Sequence, residues 1–125
     1  LRRSRGLGDV YKRQVVMLET PKAIDNVEEI ASVPGIDVLL VGTNDLCMEM
    51  GIPGEFNHND VKEAYKKVIQ ACNNNNILPG MGGVYDETLM HEYIDLGMKF
   101  ILSGSDLSFL VKGAEDRLNN LKNKG

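Results

Sequence analysis

Two acidic residues stand at the ends of two apolar runs, where their side chains are well placed to do chemistry. Glu19 closes the run VVMLE, and Asp45 closes the run DVLLVGTND. A charge after an apolar run is typical of the carboxyl end of a buried parallel strand, where α/β proteins bind their ligands. Neighbouring strands lie about 4.8 Å apart, so the two carboxylates can converge on one hard divalent cation. The pattern therefore predicts a metal site at Glu19 and Asp45.

Simpler interpretations compete with a chemical role for several polar residues. Glu19 could be a helix-start carboxylate favoured by the helix dipole, and the matching place of Asp45 on the next strand is what favours the metal. The dipeptide Ser105-Asp106 also ends a strand-like run, but it is a good helix cap, which is the interpretation we favour. His58 and His91 do not follow strands and are expected at the surface.

The elements that must position these residues are visible from residue 15 onward. Short β-rich runs alternate with amphipathic helical patterns, which indicates βα units and a parallel sheet. The predicted strands are VVML, IDVLLVG, ILPGMGG and KFILSGSD. A helical pattern follows each of them, so four βα units are expected. The glycines of the third strand could admit a ligand close to the backbone or ease crowding at the mouth formed by the strand ends.

Composition and charge narrow the class of protein. The chain has 125 residues, 42% of them hydrophobic, and a formal net charge of −4. Outside a basic N-terminal segment it is acidic, so no nucleic-acid partner is expected. No apolar stretch approaches the roughly 18 residues of a membrane span, so no membrane partner is expected either. Two cysteines without metal-type spacing fit a reducing compartment, and we expect a cytoplasmic protein.

The N-terminal segment LRRSRGLGDVYKRQ differs from the rest of the chain. It has neither periodicity nor a turn that leads into the first strand, and it resembles translated adaptor sequence. We interpret residues 1–14 as a non-native or disordered extension and residues 15–125 as the domain. A basic arm for RNA or anionic lipid is the alternative.

The stretches VMLETPKAIDNVEEIASVPGIDVLLVGTNDL and GSDLSFL resemble the C-terminal half of the HpcH/HpaI-type class II aldolases, over about residues 15–122. The resemblance rests on ET-P after one strand, V-P-G-I-D, and G-x-x-D-L after the next strand. Those enzymes cleave 4-hydroxy-2-oxo acids and 2-keto-3-deoxy sugar acids to pyruvate and an aldehyde. The fold implied for residues 15–125 is α/β: four βα units, the C-terminal half of a TIM (β/α)8 barrel of the phosphoenolpyruvate/pyruvate-binding superfamily.

The resemblance also implies roles for individual residues. Glu19 and Asp45 would be the ligands of Mg²⁺ or Mn²⁺, and the backbone amides of Asn44 and Asp45 would bind the carboxylate of pyruvate. If the glycines of ILPGMGG admit a ligand close to the backbone, Met81 would line the aldehyde side. Residues 43–47 read Thr-Asn-Asp-Leu-Cys where the family usually has Pro-Ala-Asp-Leu-Ser, which keeps the ligand but leaves the substrate acid open. The family's catalytic His and enolate-stabilising Arg lie in the N-terminal half, so we expect no catalytic residue in this fragment.

The function implied is that of a metal-dependent carbon-carbon lyase acting on a small-molecule 2-oxo acid, inactive as the 125-residue chain alone. A citrate-lyase-type or malyl-CoA-type lyase is the alternative within the same superfamily. An alternative of another class is a non-catalytic, oligomerising half-barrel fragment. A half-barrel leaves unpaired strand edges and uncovered apolar helix faces, so a homo-oligomer is expected.

Overall fold

The computed structural model describes residues 12–123. Most of the predicted N-terminal extension, residues 1–11, lies outside the described residues, as do residues 124 and 125. Strands and helices alternate along the chain. Their order is β1 (Val15–Leu18), α1 (Pro21–Asp25), α2 (Val27–Ala31), β2 (Val38–Gly42), α3 (Thr43–Glu49), α4 (Asn59–Asn75), β3 (Leu78–Gly82), α5 (Glu87–Leu96), β4 (Phe100–Ile101) and α6 (Asp106–Lys122).

The four strands form one sheet in the order β1-β2-β3-β4. All neighbours are parallel, with Leu18 level with Val41 and Val41 level with Met81. The predicted parallel sheet of four βα units is therefore confirmed. The fourth strand is shorter than predicted, because only Phe100 and Ile101 pair with β3 before the chain turns towards the cap of α6.

Local signals explain where most helices begin and end. The hydroxyl of Thr20 accepts a hydrogen bond from the amide of Ala23 at 3.2 Å, and Pro21 follows in the first turn. Helix α4 ends at Asn76, which adopts a left-handed φ of 56°. Helix α5 ends at Gly97, at φ 132°. The first predicted helix is divided at Asn26 into α1 and α2.

The sheet has one covered face and one open face. Leu39, Val41 and Met81 point towards the helices and belong to the hydrophobic core. Strand residues alternate between faces, so the opposite face carries Met17, Leu78 and Leu102, whose exposures are 51%, 46% and 42%. Val38 and Leu40 of the central strand β2 lie on this second face and are only 3% exposed, so the open face is exposed at its outer strands and strand ends, and its centre is buried.

Helix α6 stands apart from the other helices. Its sequence forms the predicted apolar stripe, but none of its residues is buried among the described part of the chain. Leu110 is 72% exposed and Leu107 is 66% exposed. Across residues 12–123, no helix combines the length and the apolar composition that crossing a bilayer requires.

Candidate metal and substrate site

Glu19 lies immediately after β1 and reaches across the sheet to β2. A β-carbon added to Gly42 would lie 2.9 Å from Cγ of Glu19 and 3.0 Å from its Oε1. Leu39 and Val41 face the helices, so Gly42 belongs to the open face by strand alternation. The carboxylate of Glu19 therefore occupies the open face at the carboxyl end of β2, in space that only a glycine at position 42 leaves free.

Asp45 lies in the first turn of α3, and its side chain is exposed. The expectation that Asp45 directly closes the second strand is corrected here, because β2 ends at Gly42 and α3 begins at Thr43 without an intervening loop. An acidic residue in the first turn is favoured by the helix dipole. Glu19 contacts the last residue of β2, and Asp45 follows that residue by three positions, so both carboxylates belong to the same edge of the sheet.

The backbone at the start of α3 is closely approached by the loop after β3. A β-carbon added to Gly83 would lie 3.3 Å from the amide nitrogen of Asn44. Gly83 also has φ +87°, which disfavours other residues. Asn44 is exposed, and the first-turn amides of a helix have no intrahelical acceptors. This turn can therefore offer N–H groups to an anion, which is the role predicted for Asn44 and Asp45.

The glycines of the third predicted strand make close backbone approaches at two places. A β-carbon on Gly80 would lie 3.0 Å from the carbonyl oxygen of Phe100, so this glycine relieves crowding between β3 and β4. Gly83 instead brings the backbone close to the predicted carboxylate site. Met81, between them, is 1% exposed and faces the helices in the core. That burial argues against the predicted aldehyde-side role for Met81.

The residues interpreted as structural have structural roles. Ser105 is the N-cap of α6, where its hydroxyl accepts from the amide of Ser108 at 3.2 Å. His58 caps α4 through Nδ1, which accepts from the amide of Asp60 at 3.2 Å. His91 is exposed on α5. The capping interpretation and the peripheral placement of the histidines are confirmed.

Thr43 and Tyr65, for which the sequence predicts no role in the site, form a buried contact at the start of α3. The hydroxyl oxygens of Thr43 and Tyr65 are 2.6 Å apart, and both side chains are fully buried. Thr43 is the first residue of α3. Helical spacing places Tyr65 on the buried stripe of α4, but no periodic signal shows which polar atom a buried hydroxyl will meet.

Two carboxylates at one edge of a sheet are the kind of donor set that Mg²⁺ takes, and they do not form a closed cage of side chains. Within residues 12–123, no group of three or more His, Cys, Asp or Glu side chains is arranged to hold a metal. Mg²⁺ is usually held by one or two carboxylates, with water and substrate oxygens completing its octahedron. Cys47 is fully buried, and burial raises the pKa of its thiol, so it is a poor thiolate ligand.

Comparison with known proteins places these elements in one family. The sequence profile of the HpcH/HpaI aldolase/citrate lyase family matches residues 4–113. A 4-hydroxy-4-methyl-2-oxoglutarate aldolase of Chaetomium globosum is 38% identical over 104 residues, which are 82% of this chain and 39% of that enzyme. A 4-hydroxy-2-oxo-heptane-1,7-dioate aldolase of Klebsiella pneumoniae is 34% identical over 81% of this chain and 38% of its own length.

A solved structure of the same family has the same arrangement of strands and helices over the matched region. The crystal structure of an HpcH/HpaI aldolase/citrate lyase family protein from Burkholderia cenocepacia superimposes with a TM-score of 0.77 and 29% sequence identity. The match covers 89% of this chain and 43% of the other. The present chain thus matches less than half the length of each of these three relatives and has the fold of four βα units from their barrel.

Proposed function

We propose that this chain, which belongs to the HpcH/HpaI aldolase/citrate lyase family, forms the metal-binding and pyruvate-binding part of a carbon-carbon lyase. The observation that carries the proposal is the placement of the Glu19 carboxylate over Gly42, three residues before Asp45. Its substrate is a 4-hydroxy-2-oxo acid or a 2-keto-3-deoxy acid. The relatives from Chaetomium and Klebsiella are both named as aldolases of oxo acids, which supports this class over a citrate-lyase-type reaction.

The proposed reaction is a retro-aldol cleavage, in which the bond between C3 and C4 of the substrate breaks to give pyruvate and an aldehyde. Glu19 and Asp45 would hold one Mg²⁺ or Mn²⁺. When bound, such a cation supplies Lewis-acid stabilisation of negative charge on the 2-oxo group. The amides of Asn44 and Asp45 would hold the substrate carboxylate and so orient the oxo acid at the edge of the sheet.

We further propose that this chain binds the metal and the oxo acid but does not turn over substrate by itself. Within residues 12–123, no His or Arg directly follows a strand, which is where side chains that act on a ligand are expected in this fold. Arg13 pairs with Asp37 at 3.1 Å, just before β2 begins and therefore at the opposite end of the sheet. His58 is engaged as a helix cap, and His91 is exposed on α5.

A cytoplasmic homo-oligomer is the proposed setting. Both cysteines, Cys47 and Cys72, are free and buried, which suits a reducing compartment. The open face of the sheet and the uncovered stripe of α6 leave large apolar side chains in water, including Met17 at 51% and Leu118 at 50% exposure. Contact with further protein would bury them.

Mn²⁺ binding to the 125-residue chain tests the proposal. Titrations followed by electron paramagnetic resonance would compare the wild type with Glu19→Gln and Asp45→Asn. Loss of either carboxylate should weaken affinity by roughly tenfold or more, since even outer-shell changes cost about 10- to 100-fold at metal sites. Glu49→Gln, at the far end of α3, is the matched control and should bind normally. Unchanged Mn²⁺ affinity in Glu19→Gln would rule out the proposed site.

A further inference from the structure

The start of α3 needs support that its own sequence does not provide. The helix has seven residues, and its N-cap, Gly42, offers no side-chain cap. Isolated helices of this length are marginal in water, because nucleation is costly. Yet Asn44 and Asp45, both proposed to bind ligands, lie in this first turn and are exposed. Something beyond the helix itself must hold the turn in place.

A buried hydrogen bond between α3 and α4 supports this turn. Thr43, the first residue of α3, lies 2.6 Å from the hydroxyl of Tyr65 on α4. Both residues are 0% exposed. A buried hydroxyl without a partner is destabilising, and a buried hydrogen bond is strengthened by its low-dielectric surroundings. The pair therefore joins the first residue of α3 to the centre of the longest helix that packs on the sheet.

Tyr65 is itself held by a second tyrosine. Its ring lies 4.2 Å from that of Tyr93 on α5, at an interplanar angle of 41°. The hydroxyl of Tyr93 donates to the backbone carbonyl of Phe56, in the segment between α3 and α4. Burial raises the pKa of both phenols, that of Tyr93 to about 12, so both remain protonated and able to donate near neutral pH.

We infer that Tyr65 is a positioning residue: through Thr43 it fixes the first turn of α3, where Asn44 and Asp45 lie, and Tyr93 fixes Tyr65 in turn. The inference rests on the proposed function for the identity of the ligands. It goes beyond that function by assigning a role to three buried side chains that touch neither metal nor substrate. Their alternative role is simple satisfaction of buried hydroxyls, which would affect stability but not ligand binding.

The test uses variants of the 125-residue chain that remove or retain the hydrogen bond. Tyr65→Phe and Thr43→Val delete it, whereas Thr43→Ser keeps a hydroxyl at position 43. Val68→Ala, one turn further along α4 at another fully buried position, is a control for general loss of core packing. Two properties are measured: Mn²⁺ affinity by paramagnetic resonance, and hydrogen exchange of residues 42–50 by mass spectrometry.

Tyr65→Phe and Thr43→Val should weaken Mn²⁺ affinity by about threefold to tenfold, the factor expected for one buried hydrogen bond. They should also speed exchange in residues 42–50. Thr43→Ser should restore both properties, and Val68→Ala should lower the melting temperature while leaving Mn²⁺ affinity unchanged. Wild-type affinity and exchange in Tyr65→Phe would overturn the inference, as would losses in Val68→Ala equal to those in Tyr65→Phe.

The two proposals fail in different ways. If the wild-type chain binds no Mn²⁺, the proposed metal site is wrong, and exchange in residues 42–50 alone decides the role of Tyr65. Faster exchange there in Thr43→Val than in Val68→Ala would still support positioning. Equal exchange in those two variants would contradict it. If Tyr65→Phe does not fold, the comparison of Thr43→Val with Thr43→Ser gives the same decision.

Discussion

The side chain of Glu19 lies against Gly42, too close to leave room for a β-carbon at residue 42. Such an atom would come within 2.9 Å of Cγ and 3.0 Å of Oε1, closer than a β-carbon normally approaches either atom. Gly42 has φ −80°, which any residue can adopt, so the backbone itself does not require glycine here. Glycine is needed at position 42 because the carboxylate of Glu19 lies against it. This contact is at the edge of the sheet where α3 begins, with Asp45 in its first turn.

Gly42→Ala should therefore impair metal binding more than folding. The added methyl group meets the stem of a flexible side chain, so Glu19 can move away and the free energy of unfolding should change by no more than about 1 kcal/mol. The displaced carboxylate should weaken Mn²⁺ affinity by roughly tenfold. Paramagnetic-resonance titration and urea unfolding measure the two effects. Gly113→Ala, with nothing within 4 Å of the new methyl group, is the control for Mn²⁺ affinity; unchanged Mn²⁺ affinity in Gly42→Ala would refute the argument.

Gly83→Ala should destabilise the protein more than Gly54→Ala. Both glycines have positive φ, +87° and +78°, so alanine costs about 1–2 kcal/mol at either position. Only at Gly83 would the new methyl group also press on a neighbour, the amide of Asn44 at 3.3 Å; at Gly54 nothing lies within 4 Å. Urea unfolding gives the difference. Metal-dependent binding of pyruvate should weaken in Gly83→Ala alone, and equal effects in both variants would exclude a special role for the contact.

Stability should fall in acid partly through Asp37. A hydrogen bond from the amide of Gln14, followed by one from the guanidinium of Arg13, lowers the pKa of this carboxyl. A lowered folded-state pKa contributes stability above the unfolded value of about 3.9, and that stability is lost as the pH falls through the folded value. The urea midpoint should thus drop less between pH 5 and 3 in Asp37→Asn than in the wild type, which unfolding curves at each pH measure.

The control for that experiment is Asp95→Asn, at an exposed position on α5. Its acid profile should follow the wild type. Parallel profiles for Asp37→Asn and the wild type would show that the hydrogen bonds to Asp37 carry no pH-dependent stability.

Neither cysteine should react readily in the folded protein. Burial raises the pKa of Cys47, and it raises that of Cys72 to about 11. A raised pKa leaves less thiolate at a given pH, and thiolate is the reactive species. At pH 8, Ellman's reagent should modify both thiols slowly in native protein and rapidly in guanidinium chloride. Rapid labelling of the native chain would show that the core around α3 and α4 opens easily.

The chain should self-associate through its uncovered apolar surface. Sedimentation velocity should show species larger than the 13.8 kDa sequence mass. Leu110→Lys and Leu118→Lys, in the exposed stripe of α6, should reduce the association if that stripe is buried in it. Lys112→Gln, on the same helix, changes charge without removing apolar surface and is the control. A monodisperse wild-type monomer with a cooperative melt would contradict this prediction.

The residues next to the predicted extension contact the sheet in an unforeseen way. The carbonyl of Gln14 accepts hydrogen bonds from the amides of Asp37 and Val38, at 3.0 and 3.1 Å. The family profile also begins its match at residue 4. The composition of residues 1–14 and their lack of periodicity predict an extension. Neither property can reveal a backbone hydrogen bond to a residue far along the chain, such as that between Gln14 and Asp37. The interpretation of residues 1–14 as an extension stays a prediction, since most of that segment lies outside the described residues.

Local chemistry makes much of the architecture predictable from the sequence. Apolar runs of strand length, alternating with helical spacing, indicate the parallel sheet of four βα units. Thr20, Asn76 and Gly97 mark helix ends because capping depends on the few residues around it. The division of the first helix at Asn26 is not predictable in this way, since its apolar spacing continues unbroken through that residue.

No local signal of this kind shows which face of the sheet each strand side chain points to. All five residues of β2 are buried, so no polar alternation shows which side chains meet the helices. The burial of Met81 is hidden from the sequence for a related reason, because only the sheet shows that this side chain points into the core. The sequence alone identifies Glu19 and Asp45 and shows that each follows an apolar run of strand length. The approach of Glu19 to Gly42 and the contact of Thr43 with Tyr65 depend on packing, because each joins separate segments whose distance no local pattern records.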